Sequence, residues 1–176
     1  IAPATLTVTA DNQTMVYGDT NPTFTQTVTG FVNGETAETA GVTGTASGST
    51  AATETSDVGR YVITGSVGTL SAANYTFMKA DGSLDVTARP VTVTADATSK
   101  TYGDADPDLT YQVAADGVGT SRGLVNGDQL SGSLTRVSGE GVNTYAIEQG
   151  TLTNANNSNY AITFAADNNA FSITPR

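Results

Sequence analysis

What most constrains this chain is that one pattern occurs in it twice. Val16-Tyr17-Gly18-Asp19-Thr20-Asn21-Pro22 returns as Thr101-Tyr102-Gly103-Asp104-Ala105-Asp106-Pro107, 85 residues on, and Asn74-Tyr75 returns at the same spacing as Asn159-Tyr160. Phe31-Val32-Asn33-Gly34-Glu35 returns as Leu124-Val125-Asn126-Gly127-Asp128. A period this long exceeds the roughly 20–50 residues of solenoid and propeller units, so a whole domain has been duplicated. Two domains are expected, over 1–87 and 88–176. Each lies within the size range of a chain that builds its own core. The edges also correspond: Arg176 closes Ile173-Thr174-Pro175-Arg176 at the position that Arg89 holds after Val86-Thr87-Ala88. We therefore expect a two-domain excerpt from a longer array.

Within each copy the pattern is strict alternation, the mark of a half-buried strand. Leu6, Val8 and Ala10 face one way, with Thr5, Thr7 and Thr9 opposite. Val91, Val93 and Ala95 repeat this against Thr92 and Thr94. Tyr61 and Ile63 recur as Tyr145 and Ile147, and Leu84 and Val86 recur as Phe171 and Ile173. Threonine suits the outer face because a β-branched side chain fits the pleat. Asn33-Gly34 and Asn126-Gly127 favour the positive φ of tight turns. One helical turn fits after the first of these, over Glu35 to Ala40, and a shorter one over Asp128 to Leu130.

About seven short strands per copy follow from this spacing, and the expected fold is mainly β. Two small antiparallel domains in tandem, each an immunoglobulin-like sandwich, are favoured. A β-grasp-like fold with one short helix is the alternative. Pro90 biases Arg89 toward extended backbone, so a semi-rigid joint is expected between the copies.

The copies differ mainly by an insertion near 114–123 in the second. Insertions fall in surface loops, where binding residues often sit. Tyr111, Asp116 and Arg122 are the candidate ligand-binding residues there, and Tyr111 has no tyrosine partner in the first copy. The recurring tyrosines Tyr17, Tyr61 and Tyr75, with Tyr102, Tyr145 and Tyr160, are expected in the core with their hydroxyls bonded to backbone.

Composition removes several classes of function. The chain has no histidine and no cysteine, which excludes a Ser-His-Asp triad, imidazole or thiolate metal sites, and disulfides. Seven basic residues, never in a run, and a net charge of −10 disfavour nucleic acid and anionic membrane. No apolar run approaches the roughly 20 residues that span a bilayer, so no membrane insertion is expected. Charged residues make up 14% of the chain against about 25% in ordinary soluble domains, and hydroxyl and amide side chains fill the difference. A disulfide-free, threonine-rich β array points to the outer surface of a bacterial cell.

Asp104, Asp106 and Asp108 alternate in Gly103-Asp104-Ala105-Asp106-Pro107-Asp108 and are the candidate ligands of a structural calcium ion. Asx-type turns capping their own backbone are the competing reading. No other cofactor is indicated. A Lys–Asn isopeptide crosslink could draw only on Lys79 or Lys100, which do not occupy equivalent positions, and none is expected.

The set Tyr-Gly-Asp-x-x-Pro after a strand, a Leu-Val-Asn-Gly-Asp-like turn, Tyr-x-Ile and Asn-Tyr-x-Ile resembles the MBG domain of the YGX type. Glu35 and Phe31 depart from it in the first copy, and the insertion departs from it in the second. Such repeats belong to large secreted bacterial adhesins of the filamentous haemagglutinin kind. The resemblance implies an extracellular adhesin module with no shared catalytic residues. The expected function is a stalk or spacer in cell adhesion or biofilm attachment, and not an enzyme. The alternative is an adhesive module that binds a host or matrix glycan, mucin or protein, or a second adhesin copy through edge strands.

Overall fold

The computed structural model describes the backbone of residues 1–176 and all side chains except those of Asn168 and Asn169. The chain forms two compact units, Ile1–Thr87 and Ala88–Arg176. In the first, seven strands follow one another: β1 (Ala4–Ala10), β2 (Gln13–Val16), β3 (Gln26–Thr29), β4 (Ser47–Thr50), β5 (Gly59–Ser66), β6 (Tyr75–Ala80) and β7 (Gly82–Thr87). The second repeats the series: β8 (Arg89–Ala95), β9 (Thr98–Thr101), β10 (Tyr111–Val113), β11 (Thr135–Arg136), β12 (Asn143–Glu148), β13 (Tyr160–Ala165) and β14 (Asp167–Thr174). No helix occurs among the described residues, so none could cross a membrane. The β-grasp alternative, which needs a helix, falls away.

Each unit packs a three-stranded sheet against a four-stranded one. The orders are β3-β1-β6 and β2-β7-β5-β4 in the first unit, and β10-β8-β13 and β11-β12-β14-β9 in the second. The inward residues are those that alternation selects. Leu6, Val8, Ile63 and Leu84 are fully buried, as are Val93 and Phe171, with Val91, Ile147 and Ile173 almost so. Burying a side chain of this size contributes about 1.5–3 kcal/mol, which makes these few positions the main source of each unit's stability.

The sheets are mixed, where wholly antiparallel sheets were expected. β1 pairs with β6 in parallel and β2 with β7 in parallel, and the second unit does the same with β8–β13 and β9–β14. The chain changes sheet without reversing, so the two pairings between the same pair of bent strands share one sense. Only Asp11 and Asn12 separate β1 from β2, and only Asp81 separates β6 from β7. Two long strands, each bent once, therefore run side by side and meet in both sheets. The bend is pinned at Asp11, whose carboxylate accepts from the hydroxyls of Thr25 (2.7 Å) and Thr27 (2.6 Å). Those two bonds, Thr27's first, hold its pKa below the usual carboxylate value. Asp96 takes the same role in the second unit with Thr110 and Gln112.

The helical turn after Asn33-Gly34 is present but closes at once. Ala40 N–H donates to Thr36 C=O, and Val42 and Gly41 N–H then donate to Ala37 and Glu38 C=O. With Gly41 at φ +67° this is a Schellman stop, where only glycine is comfortable. Asp128 to Leu130 form no such turn.

Candidate functional site

The Tyr-Gly-Asp sequence is a turn that carries a loop back onto the end of the sandwich. Asp19 N–H donates to Val16 C=O and Asp104 N–H to Thr101 C=O, both at 3.0 Å. The glycine between them has φ +85° in the first unit and +91° in the second. A turn with positive φ at its third residue excludes a side chain there, which explains the glycine.

In the first unit the returning loop docks through a neutral amide. Asn21 Nδ2 donates to Ala52 C=O at 2.9 Å, above an end closed by Met15, Tyr17 and Ala52, all buried. Pairing register shows what replaces these in the second unit. Met15 lies opposite Val86 and Lys100 opposite Ile173; Thr50 lies opposite Ile63 and Arg136 opposite Ile147. Two cations thus occupy inward positions, and Asp106 stands where Asn21 stood.

The result is a charge cluster, not a metal-ligand set. Asp106 Oδ1 lies 2.7 Å from Lys100 Nζ, and Arg136 binds both Asp106 oxygens, with Nε at 2.6 Å and Nη2 at 3.0 Å. Glu140 accepts from Lys100 Nζ and, at 2.6 Å, from Arg136 Nη2. Arg136 Nη1 donates to the carbonyls of Val137 (3.0 Å) and Gly139 (2.8 Å), so every guanidinium nitrogen has a partner. Its Cζ sits 4.6 Å above the centre of the Phe171 ring. The cations are the buried members: the Lys100 and Arg136 side chains are 4% and 9% exposed, those of Asp106 and Glu140 42% and 68%. Arg136 first, and Lys100 second, hold Asp106 down to a pKa of about 2. Lys100 is raised by Asp106 and then Glu140.

The six sites named from sequence are placed as follows. Asp106 is held by Lys100 and Arg136. Asp104 lies 3.5 Å from Arg176 Nη1, and Asp108 is exposed in the loop. The three do not converge, and no group of three or more acidic residues suited to a metal forms among the described residues. Asp116 and Arg122 approach to 3.8 Å across the inserted loop. Tyr111 does not join them. It is half-buried on β10, where it packs with Val113 against the core cluster around Val93, Phe171 and Ile173. Tyr102 also departs from the expected core position: it is 52% exposed where Tyr17 is 4%. The end of the sandwich that Tyr17 closes in the first unit is closed by Lys100 and Arg136 in the second.

Lys100 and Asp106 meet the distance requirement for an isopeptide crosslink but not the protonation requirement. Amide formation needs a neutral amine and a protonated carboxyl, whereas the bidentate Arg136 holds Asp106 ionised. The purified chain is expected to have the full mass of its sequence; a mass lower by one water would show that the bond forms.

At the opposite end of each unit, the Asn-Gly turn and the Asn-Tyr motif form a latch. Val32 to Glu35 make a type I′ turn, with Asn33 at φ +56° and Gly34 at +70°, and Glu35 N–H donates to Val32 C=O. Tyr75 OH donates to Glu35 Oε2 at 2.5 Å and accepts from Val32 N–H at 3.2 Å. Glu35 raises the tyrosine pKa. Tyr160 repeats this with Asp128 Oδ2 (2.7 Å) and Val125 N–H (3.2 Å). The acidic partner was missed from sequence, although the joint recurrence of Asn-Gly-acid and Asn-Tyr in both copies was its signal. Tyr160→Phe is expected to cost the second unit about 1 kcal/mol, the worth of a part-buried hydrogen bond, measured by denaturant unfolding.

Two tandem sandwiches of identical strand order, each held by a Tyr-Gly-Asp turn and a tyrosine–acid latch, define a tandem β-repeat protein. The model of the MBG domain (YGX type) matches residues 6–85 and again residues 91–171, and the chain belongs to this family. No curated protein matches the sequence.

Proposed function

We propose that the chain is a stalk or spacer segment of a secreted bacterial adhesin, displayed at the cell surface and without catalytic activity of its own. The observation that carries this reading is that the same complete sandwich is built twice in immediate succession, β7 ending at Thr87 and β8 beginning at Arg89. Charge is consistent with it. The strongly shifted groups belong to a cluster whose members satisfy one another and close the end of a core. Shifted groups of that kind serve structure where no cleft presents them to a substrate.

The adhesive-module alternative rests on the inserted loop, which is pinned rather than loose. Ser121 is 2% exposed; its hydroxyl donates to Ala114 C=O and accepts from Thr92 and Gly123 N–H. Deleting the loop would remove this anchor, so substitutions at its exposed part are the cleaner probe. Binding of the two-unit chain to glycans, mucins and matrix proteins, with and without calcium, tests both readings. A spacer is expected to give no specific binding. Specific binding lost in an Asp116→Ser, Val118→Ser variant with unchanged melting temperature would establish the adhesive module instead.

A further inference from the structure

β4 ends the four-stranded sheet of the first unit and pairs on one side only, with β5. Gly48 lies opposite Gly65, and Gly65 donates its N–H away from β4, to Asp81 Oδ1 at 2.9 Å. Residues of an antiparallel ladder alternate between its two sides, so Gly48 turns its own N–H and C=O outward. Thr45 is held on the inner side: its N–H donates to the Thr69 hydroxyl and its C=O accepts from Thr69 N–H. Ala46 and Thr50 therefore share the outward phase of Gly48. None of these three N–H groups has a partner among the described residues.

An open edge is a template for another strand, and proteins guard it with charge, proline, bulges or extreme shortness. Thr45 to Ala52 reads Thr-Ala-Ser-Gly-Ser-Thr-Ala-Ala, without a charge or a proline. Ser47 and Ser49 are exposed on it, and Gly48 and Thr50 are half-buried. The corresponding strand of the second unit is guarded. β11 is only Thr135–Arg136, and Asp106 and Glu140 both hold its arginine. β13 is guarded as well, since Asn154 Oδ1 accepts the N–H of Ile162.

We propose that β4 pairs with β4 of a second copy of this chain, antiparallel, about a two-fold axis at Gly48. Gly48 then faces its own counterpart, Ala46 faces Thr50, and about six backbone hydrogen bonds join the two sheets into one. Ser47 comes opposite Ser49 on the exposed face, so hydroxyls meet and like charges do not. That neutrality selects the chain itself as the occupant. A net charge of −10 opposes most approaches of two copies, whereas this strand is neutral on both sides of the axis. The contact is small beside the roughly 800 Å² per partner of a standard interface, so the dimer is weak and reversible. The pairing holds whether or not the array is a spacer, because laterally paired spacers remain spacers.

Sedimentation equilibrium of the whole chain, from micromolar to about 1 mM, tests this. The mean mass is expected to rise toward that of a dimer, and to rise further at high salt, where repulsion between acidic surfaces is screened. Hydrogen exchange is expected to slow at the Gly48 and Thr50 amides as concentration rises, and to stay constant at Ser49, whose N–H faces β5. The variant Ser47→Lys, Ser49→Lys sets lysines opposite one another and is expected to be monomeric, as is Ser47→Glu, Ser49→Glu. Mixing the two is expected to restore pairing as a heterodimer, which a merely misfolded variant does not give. A wild-type chain that stays monomeric, association that leaves Gly48 exchange unchanged, or a lysine variant that still dimerises would each overturn the proposal. So would a neutral Thr-Val repeat peptide that slows Gly48 exchange in a chain that stays monomeric, since the edge would then receive foreign strands. Glycan and mucin binding is untouched by these outcomes, so the spacer reading stands or fails separately.

Discussion

Phe171→Ala is expected to destabilise the second unit by about 4 kcal/mol, the usual cost of removing a phenylalanine from a closed core. Phe171 is fully buried in the cluster that also holds Val93, Ile147 and Ile173, and it is also the surface on which Arg136 lies. Its counterpart Leu84, opposite Tyr61 as Phe171 is opposite Tyr145, carries no cation above it. The variant thus loses apolar burial and the platform of the charge cluster together. Small domains have stabilities near the low end of about 5–15 kcal/mol, so the second unit should stand close to unfolding while the first keeps its protection. Hydrogen exchange resolved by residue would show this, and a loss under about 1 kcal/mol would mean that another residue centres the core.

Arg136→Ala is expected to cost about 2 kcal/mol, less than a fully buried ion pair because Asp106 and Glu140 remain in contact with solvent. The same cluster gives the second unit an acid-sensitive term. Asp106 has a folded-state pKa of about 2 against an ordinary 3.8, so its contribution is present above that ordinary value and disappears as pH falls through about 2. Glu140, lowered first by Lys100 and then by Arg136, acts in the same direction. Asp106→Asn reproduces the amide of Asn21 and should flatten the loss of melting temperature between neutral and acidic pH in the second unit. An unchanged pH profile in that variant would show that the cluster does not control acid stability.

Much of the fold was legible because alternation reports which face a residue occupies. Leu6, Val8 and Ala10 could be placed inward without any knowledge of their partners, and so could Val91, Val93 and Ile173. Alternation does not report strand direction, and for that reason the parallel pairs were missed. The chain runs on without reversing at Asp11-Asn12 and at Asp81, yet short polar connections look like hairpin turns in sequence. The site was less legible still. Lys100 reads as an ordinary surface lysine in Thr98-Ser99-Lys100-Thr101 until it is set against Met15 in the other copy. An inward lysine requires inward or rim carboxylates, and Glu140 lies in a loop that no motif marks. Tyr102 was misjudged for the same reason: its neighbours, not its own type, decide whether it can enter the core.

The short connections between β1 and β2 and between β6 and β7 also have a mechanical consequence. Because neither reverses and the bent strands pair in parallel, the first and last strands of a unit run the same way, and the chain enters at one end and leaves at the other. Tension applied at the two ends pulls these strands past each other along their length. The β1–β6 and β2–β7 hydrogen bonds would then be strained simultaneously, not opened one after another like a zipper. Each unit is thus loaded in shear along its two paired terminal strands, independently of anything it binds.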